Sequence, residues 1–372
     1  MRSVGDAAQA LLAELVAIDS VNPGLVDGAA GETEMVHFLK ARLDAHGFAT
    51  TVVAGQGRVD RPSLVAVSPA PADAPTVVLN GHLDTVGVAG MVSPFSPRVK
   101  GDRMTGRGTA DMKGGIAAMV AAAERLAVDG AEVRTVLALV ADEEDASLGS
   151  ESVLAELPRL GVEPDVCLIA EPTDLELARS LRGFGVAHVR FAGRAAHSSQ
   201  AHLGVNAVEH LGGLLHAVQE RAAHQRGLGG DLMVTMVRGG SSPFVVPDNA
   251  ECFVELRTAP GAPGSSVVEE VAALMRDEWD ASVELASARD GWMQTTAGPA
   301  ADLATRLGDR LGTGLTFDAP YWMEAPLWEQ ACPTLICGPS GGGLHAVDEW
   351  VDLGQVRAFA SALVEVLARQ GV

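Results

Sequence analysis

Five side chains able to ligate a divalent cation are spread along the 372 residues, each inside a constrained local motif: His82 in Gly-His-Leu-Asp, Asp111 in Gly-Thr-Ala-Asp-Met-Lys-Gly-Gly, Glu144 in Asp-Glu-Glu-Asp, Glu171 in Ala-Glu-Pro-Thr and His345 in Gly-Leu-His-Ala. Two imidazoles and three carboxylates are enough for a site holding two divalent metal ions, and that donor set suits zinc or cobalt. Glu143, next to Glu144, is placed to take a proton from an attacking water. The combination points to metal-dependent hydrolysis.

Each motif has a physical reading of its own. His82 and Asp84 come after the apolar run Val77–Leu79, just beyond the carboxyl end of a strand, where ligand sites in open α/β sheets cluster. His82 is expected to bind metal while the Asp84 carboxylate accepts its second ring N–H and fixes the tautomer. A loop histidine beside an aspartate is the plainer alternative. Asp111 lies among Gly106, Gly108, Gly114 and Gly115, which permit close approach of backbone and cation. Its carboxylate can serve two metals or cap the next helix. Asp142, Glu143, Glu144 and Asp145 close another buried strand, and four like charges there repel strongly unless cations lie among them. Glu144 is read as a ligand and Glu143 as the general base and acid. Glu171 ends a third strand, with Pro172 stiffening the turn. His345 arrives on a flexible loop, in which Gly342 and Gly343 either present backbone N–H groups to a substrate or only give freedom of movement.

Such distant groups meet only if regular elements bring them together. Apolar positions at helical spacing predict helices over residues 5–17 and Glu32–His46, and an Ala-rich helix over Gly114–Val128. β-Rich runs at Leu64–Val67, Thr76–Leu79, Arg134–Val140 and Val166–Ile169 predict strands, and the alternation indicates a layered α/β domain. From about residue 180 the order becomes β-α-β-β-α-β, with strands at Phe184–Ala192, Leu232–Val237, Cys252–Arg257 and Ser282–Ala286 and helices at Val205–His224 and Ser265–Trp279. That order is the signature of a ferredoxin-like α+β unit. After Gly291 the α/β character returns, with helices at Ala300–Leu311 and Leu353–Arg369 and a strand at Thr334–Cys337. Because His345 must meet ligands from the first segment, residues 1–180 and 291–372 are expected to form one discontinuous domain, interrupted by an inserted domain over 181–290.

The length favours two domains over one core, and 47% hydrophobic with only 4% aromatic residues implies packing by Leu, Val and Ala. Basic residues number 27 against 48 acidic, a formal charge of −21 that repels nucleic acid and anionic membranes. Cys167, Cys252, Cys332 and Cys337 have no C-x-x-C spacing, and three lie in apolar runs, as buried reduced thiols do. There is no apolar segment of a signal peptide and no run of about 18 apolar residues. A cytoplasmic, unanchored protein is expected.

These motifs resemble those of the M20 metallopeptidases, a family that includes acetylornithine deacetylase, succinyl-diaminopimelate desuccinylase, aminoacylase and glutamate carboxypeptidase. The resemblance spans essentially the whole chain. Its most specific parts are His82-Leu83-Asp84-Thr85-Val86, Gly106-Arg107-Gly108 through Asp111-Met112-Lys113-Gly114-Gly115, and Asp142-Glu143-Glu144. It implies a zinc-exopeptidase-like three-layer catalytic domain with an inserted lid and dimerisation domain. It implies one metal on His82, Asp111 and Glu171 and another on Asp111, Glu144 and His345, with Asp111 as the bridge.

The resemblance also marks residues that spacing does not. His197, in Gly193-Arg194-Ala195-Ala196-His197-Ser198-Ser199, matches the lid histidine that stabilises the oxyanion in the partner subunit of a homodimer. Arg257, in Glu255-Leu256-Arg257-Thr258-Ala259-Pro260-Gly261, matches the arginine that pairs with a substrate carboxylate, a surface salt bridge being its alternative role. Phe244 stands where many relatives have a substrate-contacting asparagine, Met323-Glu324-Ala325 where a Thr-Asp or Ser-Asp pair is frequent, and Gln200-Ala201-His202 where a proline is usual. A substrate pocket less polar than that of the amino-acid biosynthetic relatives is therefore expected. The expected activity is removal of an N-acyl group from an amino acid or amino-acid-like metabolite. A dipeptidase or carboxypeptidase of the same fold differs only in which side of the amide is an amino acid. A non-catalytic protein that captures an acylated metabolite or a carrier protein is the rival of another class.

Overall fold

The apolar runs that end in acidic or imidazole side chains are the middle strands of one sheet. The computed structural model describes residues 3–55 and 58–368. In chain order the strands of its two principal sheets are β1 (Ala49–Gly55), β2 (Arg58–Val67), β3 (Thr76–His82), β4 (Arg134–Val140), β5 (Val166–Ile169), β6 (Phe184–Ala192), β7 (Asp231–Gly239), β8 (Asn249–Arg257), β9 (Ala281–Arg289) and β10 (Thr334–Ile336). The chain divides into two compact units, one of Met1–Ala178, Gln294–Phe317 and Leu327–Val372, the other of Arg179–Met293 and Asp318–Pro326.

In the first unit the strand order is β1-β2-β4-β3-β5-β10. β4, β3, β5 and β10 are parallel, and β2 and β1 extend the sheet antiparallel. Parallel strands covered on both faces need no alternation of polar and apolar residues, and β3 and β5 are buried at every position. Leu64 and Ala66 of β2 join a core with the helices Val4–Val16, Gly114–Asp129 and Leu353–Leu367. Ser63, on the opposite face, meets Gly149 of the helix Leu148–Glu156, so helices lie on both sides of the sheet. Three layers result.

The second unit has the antiparallel order β7-β8-β6-β9. The helices Ala207–Gly227 and Val267–Ala272 pack on one face, over a core that includes Val189, Leu214, Val254 and Val267. Connectivity β-α-β-β-α-β in that order is ferredoxin-like.

Several elements differ from their sequence-based expectation. The helix expected over Ser265–Trp279 is shorter, Val267–Ala272. Asp277, Glu278 and Asp280 would place negative charge at its carboxyl end, against the helix dipole. Trp279 instead packs edge-on against Phe191 and lies over Gly213, where a Cβ would come within 2.6 Å of it. β1 was not expected at all, since its run Ala49-Thr50-Thr51-Val52-Val53 alternates only weakly. The closing helix is Leu353–Leu367, and Arg369, its expected last residue, lies outside the described residues. All four cysteines are buried free thiols. Burial pushes Cys337 up to about 12, which leaves it unreactive. Among the described residues no helix is long and apolar enough to cross a membrane.

Candidate metal centre

Three parallel strands deliver ligands at their carboxyl ends: β3 ends at His82, β4 runs into Asp142-Glu143-Glu144, and β5 runs into Glu171. Asp111 comes from the turn that enters the helix Gly114–Asp129, whose N-cap is Lys113, so Asp111 does not cap it. The Asp111–Met112 peptide is cis. His345 sits at a φ of 60° in the hairpin between the short strands Gly341–Gly342 and Trp350–Asp352. That hairpin pairs in turn with Arg103–Thr105, the strand leading into the Asp111 turn. Loops more than two hundred residues apart in sequence are thus part of one small sheet.

The five expected ligands and Glu143 converge. Asp111 Oδ1 lies 2.9 Å from His82 Nε2 and its Oδ2 lies 3.2 Å from His345 Nε2. His345 Nε2 is also 3.1 Å from Glu144 Oε2, and His82 Nε2 is 3.9 Å from Glu171 Oε1. Ligand atoms of His82, Asp111 and Glu144 all lie within 4.8 Å of one another, as do those of His82, Glu143 and Glu171. One carboxylate between two imidazoles, with further carboxylates on each side, fits a pair of divalent cations sharing Asp111. Glu144 Oε1 is buried without a hydrogen-bond partner, an acceptor that such a cation would satisfy. His345 is the open side of the cluster, its side chain 54% exposed.

Without metal, protons on the imidazoles balance the carboxylates. Burial would depress His82, but the hydrogen bond to Asp111 and the charges of Glu171, Glu143 and Asp111 outweigh it and raise its pKa well above the usual imidazole value. Hydrogen bonds to Asp111 and Glu144 push His345 up to about 10. Burial pushes the Glu144 carboxyl up. Burial acts the same way on Asp111, yet its two imidazole partners hold it well below the usual carboxylate range.

A profile of peptidase family M20/M25/M40 matches residues 78–369, a span that contains every one of these groups. The chain belongs to this family. It is 30% identical to a succinyl-diaminopimelate desuccinylase of Gluconobacter oxydans over 370 residues, 93% of this chain and 92% of the relative. It is 27% identical to an acetylornithine deacetylase of Vibrio vulnificus over 309 residues, 79% of this chain and 80% of the relative. Among solved structures, a tripeptidase from Staphylococcus aureus superposes with a TM-score of 0.78 at 19% identity, covering 98% of this chain and 99% of the other. The three-layer domain with its inserted ferredoxin-like unit is the M20 fold, and the chain is a hydrolase of that family.

The groups around the ligands correct two expectations. Asp84 was expected to accept the second ring N–H of His82 through its carboxylate. Its backbone carbonyl does so instead, at 3.0 Å from Nδ1, while the carboxylate Oδ1 is 3.8 Å away. That carboxylate is committed elsewhere: it accepts from the backbone N–H groups of Glu143 and Glu144 and from Asn22. Asp142 was grouped with acidic residues that need cations, but its Oδ1 lies 2.6 Å from Arg61, so the protein supplies that charge itself.

Glu349 was missed. It is buried, and its carboxylate accepts from the backbone N–H groups of Gly108, Ala110 and Asp111 at 3.0, 3.0 and 3.2 Å and from Arg107 at 2.7 Å. Four residues after His345, it ties the His345 hairpin to the Asp111 turn. Lys113, also buried, donates to the carbonyls of Leu15 and Ile18 at 3.1 and 2.8 Å, at the end of the helix Val4–Val16, and burial pushes its ammonium down to about 7. Gly342 and Gly343 have a packing explanation: a Cβ on Gly342 would lie 2.8 Å from Trp350 Nε1, and Gly343 turns the hairpin at a φ of 69°. The loop expected to be flexible is held at both ends by the paired strands Gly341–Gly342 and Trp350–Asp352.

In the second unit the structure brings His197 and Phe244 together. Their loops meet through an isolated bridge between His197 and Val245, and the Ser198 N–H donates to the Phe244 carbonyl at 3.0 Å. His197 Nδ1 accepts from the Ser199 backbone N–H at 3.2 Å, so a neutral ring carries its proton on Nε2 and offers a donor there. Phe244 is 69% exposed. Arg257 is at the far end of β8 from this pair. Its Nε donates to Glu255 at 2.6 Å and its guanidinium lies over the Phe184 ring, 5.3 Å from the centroid. Met323 is buried.

Proposed function

We propose that this M20 hydrolase is a dinuclear, zinc- or cobalt-dependent amidohydrolase that removes an N-acyl group from an amino acid or amino-acid-like metabolite in the cytoplasm. The observation that carries the reading is Asp111, whose two oxygens face two different histidines with Glu143 alongside. One cation would rest on His82, Asp111 and Glu171, the other on Asp111, Glu144 and His345. Two bound cations supply Lewis acidity, lowering the pKa of a water and polarising an amide carbonyl.

The chain's own residues do the rest. Glu143 takes the proton of the attacking water and passes it to the leaving nitrogen. Asp84 holds the backbone of Glu143 and Glu144 and, through its carbonyl, the tautomer of His82. His197 donates from Nε2 to the developing oxyanion. Arg257 exchanges Glu255 for a substrate carboxylate, and Phe244 and, separately, the backbone of Gly342 and Gly343 are the further proposed substrate contacts.

A homodimer through the inserted unit is part of the proposal, supported by distance. β8 separates the His197–Phe244 end from Arg257 by nine residues, about 26 Å at the usual rise of a strand. No small substrate spans that length, so both ends serve one substrate only if they come from different copies. β7 is an edge strand with Met233, Met236 and Val237 exposed, a surface suited to burial between copies.

Both named relatives act, by their names, on acetylated or succinylated amino acids, which favours deacylation over peptide cleavage. The test is a panel of N-acetyl and N-succinyl amino acids and dipeptides offered to zinc- or cobalt-loaded protein. Turnover of the acyl amino acids supports the proposal. Turnover of dipeptides alone replaces it with a dipeptidase, and tight binding without turnover with a capture protein.

A further inference from the structure

Behind the acidic turn lies a chain of polar side chains, each no more than 1% exposed, that the metal-ligand assignments do not include: Glu32, Arg61, Asp142, Asn22 and Asp84. Arg61, in β2, grips Glu32 with two nitrogens, Nε to Oε2 at 2.9 Å and Nη2 to Oε1 at 2.6 Å. Its remaining nitrogen, Nη1, lies 2.6 Å from Asp142 Oδ1. Asn22 Nδ2 reaches the same Asp142 oxygen at 3.2 Å and Asp84 Oδ2 at 2.7 Å. Asp84 then accepts the backbone N–H of Glu143 at 3.1 Å and of Glu144 at 3.2 Å.

A buried ion pair is a poor device for stability, since apolar groups of the same volume often serve better. Its use lies in fixing one geometry among several. Here the geometry is that of Asp142, which adopts a φ of 69° at the point where β4 gives way to the turn. An L-residue disfavours that region, so the conformation has to be held by its surroundings. Two groups hold the Asp142 carboxylate: Arg61 through its charge at 2.6 Å, without an aligned hydrogen bond, and Asn22 through a hydrogen bond. Directly after Asp142 come the two residues that must point at the centre, Glu143 and Glu144.

We propose that Arg61, anchored by Glu32, is a positioning residue for the hydrolytic centre: it fixes Asp142 and, through Asn22 and Asp84, the orientation of the Glu143 base and the Glu144 ligand. Arg61 touches no substrate and no cation. The inference rests on the proposed role of Glu143, and its test is built so that the two can fail separately.

Three full-length variants are compared with the parent after loading with cobalt: Arg61→Met, Arg61→Lys and Glu32→Gln. Lysine keeps the charge, but one ammonium cannot hold both carboxylates as the three-nitrogen fork does. Arg61→Lys is expected to fold, to retain both metal equivalents by elemental analysis, and to keep KM within about twofold while kcat falls ten- to a hundredfold. Its cobalt absorption bands are expected to shift, because Glu144 changes its approach. Glu32→Gln is expected to lose two- to fivefold in kcat and Arg61→Met the most.

A kcat for Arg61→Lys within twofold of the parent overturns the proposal, as does a loss that merely tracks lost metal or lost folded protein. If Arg61→Lys and Arg61→Met do not fold, Glu32→Gln decides, and an unchanged kcat there overturns it. If the parent hydrolyses nothing in the substrate panel, the functional reading fails on its own. The cobalt spectrum then decides: bands shifted in Arg61→Lys support the positioning role, and unchanged bands end it.

Discussion

The two units hold their proposed working residues in opposite ways. In the first unit, the turns bearing ligands are clamped from behind by buried charged and polar side chains: Glu349 and Arg107 on the Asp111 turn, Arg61 and Asn22 on the Glu143–Glu144 turn, Lys113 against the end of the helix Val4–Val16. In the second unit, the His197 and Phe244 loops are joined by a few backbone hydrogen bonds, their side chains open to solvent, and Arg257 is paired with a neighbour on its own strand. Groups that share a bond-making task need fixed distances, and low dielectric makes each fixed dipole count for more. Groups that recognise a substrate must release one partner to take another. The contrast predicts that substitutions in the first unit cost rate and stability together, apart from the base itself, whereas those of Arg257 and Phe244 in the second cost affinity alone and loss of the His197 oxyanion donor costs rate without stability.

The base gives the largest effect. Glu143→Ala is expected to lower kcat by about 10²–10⁴-fold, the usual contribution of a positioned acid–base group, with both metal equivalents retained. Elemental analysis beside the rate measurement checks this. Because Glu143 lies within 4.8 Å of His82 and Glu171 by its ligand atom, loss of metal with activity would make it a ligand rather than a base.

The clamp comes next. Glu349→Gln keeps the shape and leaves Arg107 and three backbone N–H groups without their anion. Breaking a buried pair from one side is expected to destabilise the fold by about 3 kcal/mol, measured by urea unfolding of the metal-free protein. Metal affinity should fall as well, because the Asp111 turn and the His345 hairpin lose their link. An unfolding midpoint equal to the parent's would mean that this tie is not what holds the two loops.

Legibility in the sequence divides along the same line. The ligands are legible because each ends an apolar strand or sits among glycines, and strand-end position is a local property of sequence. The groups that hold them are not. Arg61 looks like an ordinary charge at the start of a strand, Asn22 like a loop residue, and Glu349 like one more acid in Asp348-Glu349-Trp350. Their role comes from contacts across 29 to 242 residues, which no periodicity encodes. Asp84 shows the same limit at close range. Its proximity to His82 is plain from the motif, but which oxygen accepts depends on Asn22 and on the turn after β4.

A pH series tests how the first unit balances its charge. Without metal, His345 has its pKa raised from 6.5 to about 10 and His82 is raised too, so the folded state binds protons that the unfolded chain has released. That stabilisation is complete below pH 6.5 and is lost as the pH rises towards 10. Glu144, also raised, pushes the same way from pH 4.5 upward. Lys113, which burial pushes down from 10.5 to about 7, pulls the other way above pH 7, but one lysine is outweighed by two histidines. The metal-free protein is therefore expected to melt at progressively lower temperature between about pH 6.5 and 10. The zinc-loaded protein should show no such fall up to about pH 9, since neutral imidazoles then serve as ligands and the depressed Lys113 favours the folded state as the pH rises. Parallel slopes for the two forms, read by calorimetry, would show that the histidines are not what balances the carboxylates.

The smallest effect on the fold belongs to Phe244. With 69% of the residue exposed, it gives up little apolar burial when truncated, so Phe244→Ala should change unfolding free energy by no more than about 0.5 kcal/mol. If its ring contributes to an apolar approach for the substrate, KM should rise several-fold with kcat unchanged, the signature of binding lost equally from ground and transition states. Phe244→Asn, which brings back the polar group common in the family, sharpens the comparison further. It should shift preference among acyl amino acids towards those with more polar acyl groups while leaving the metal content untouched. A change in kcat as large as that of a first-unit variant would place Phe244 with the reacting atoms, and the division between a rigid chemical centre and an exposed recognition edge would no longer describe this protein.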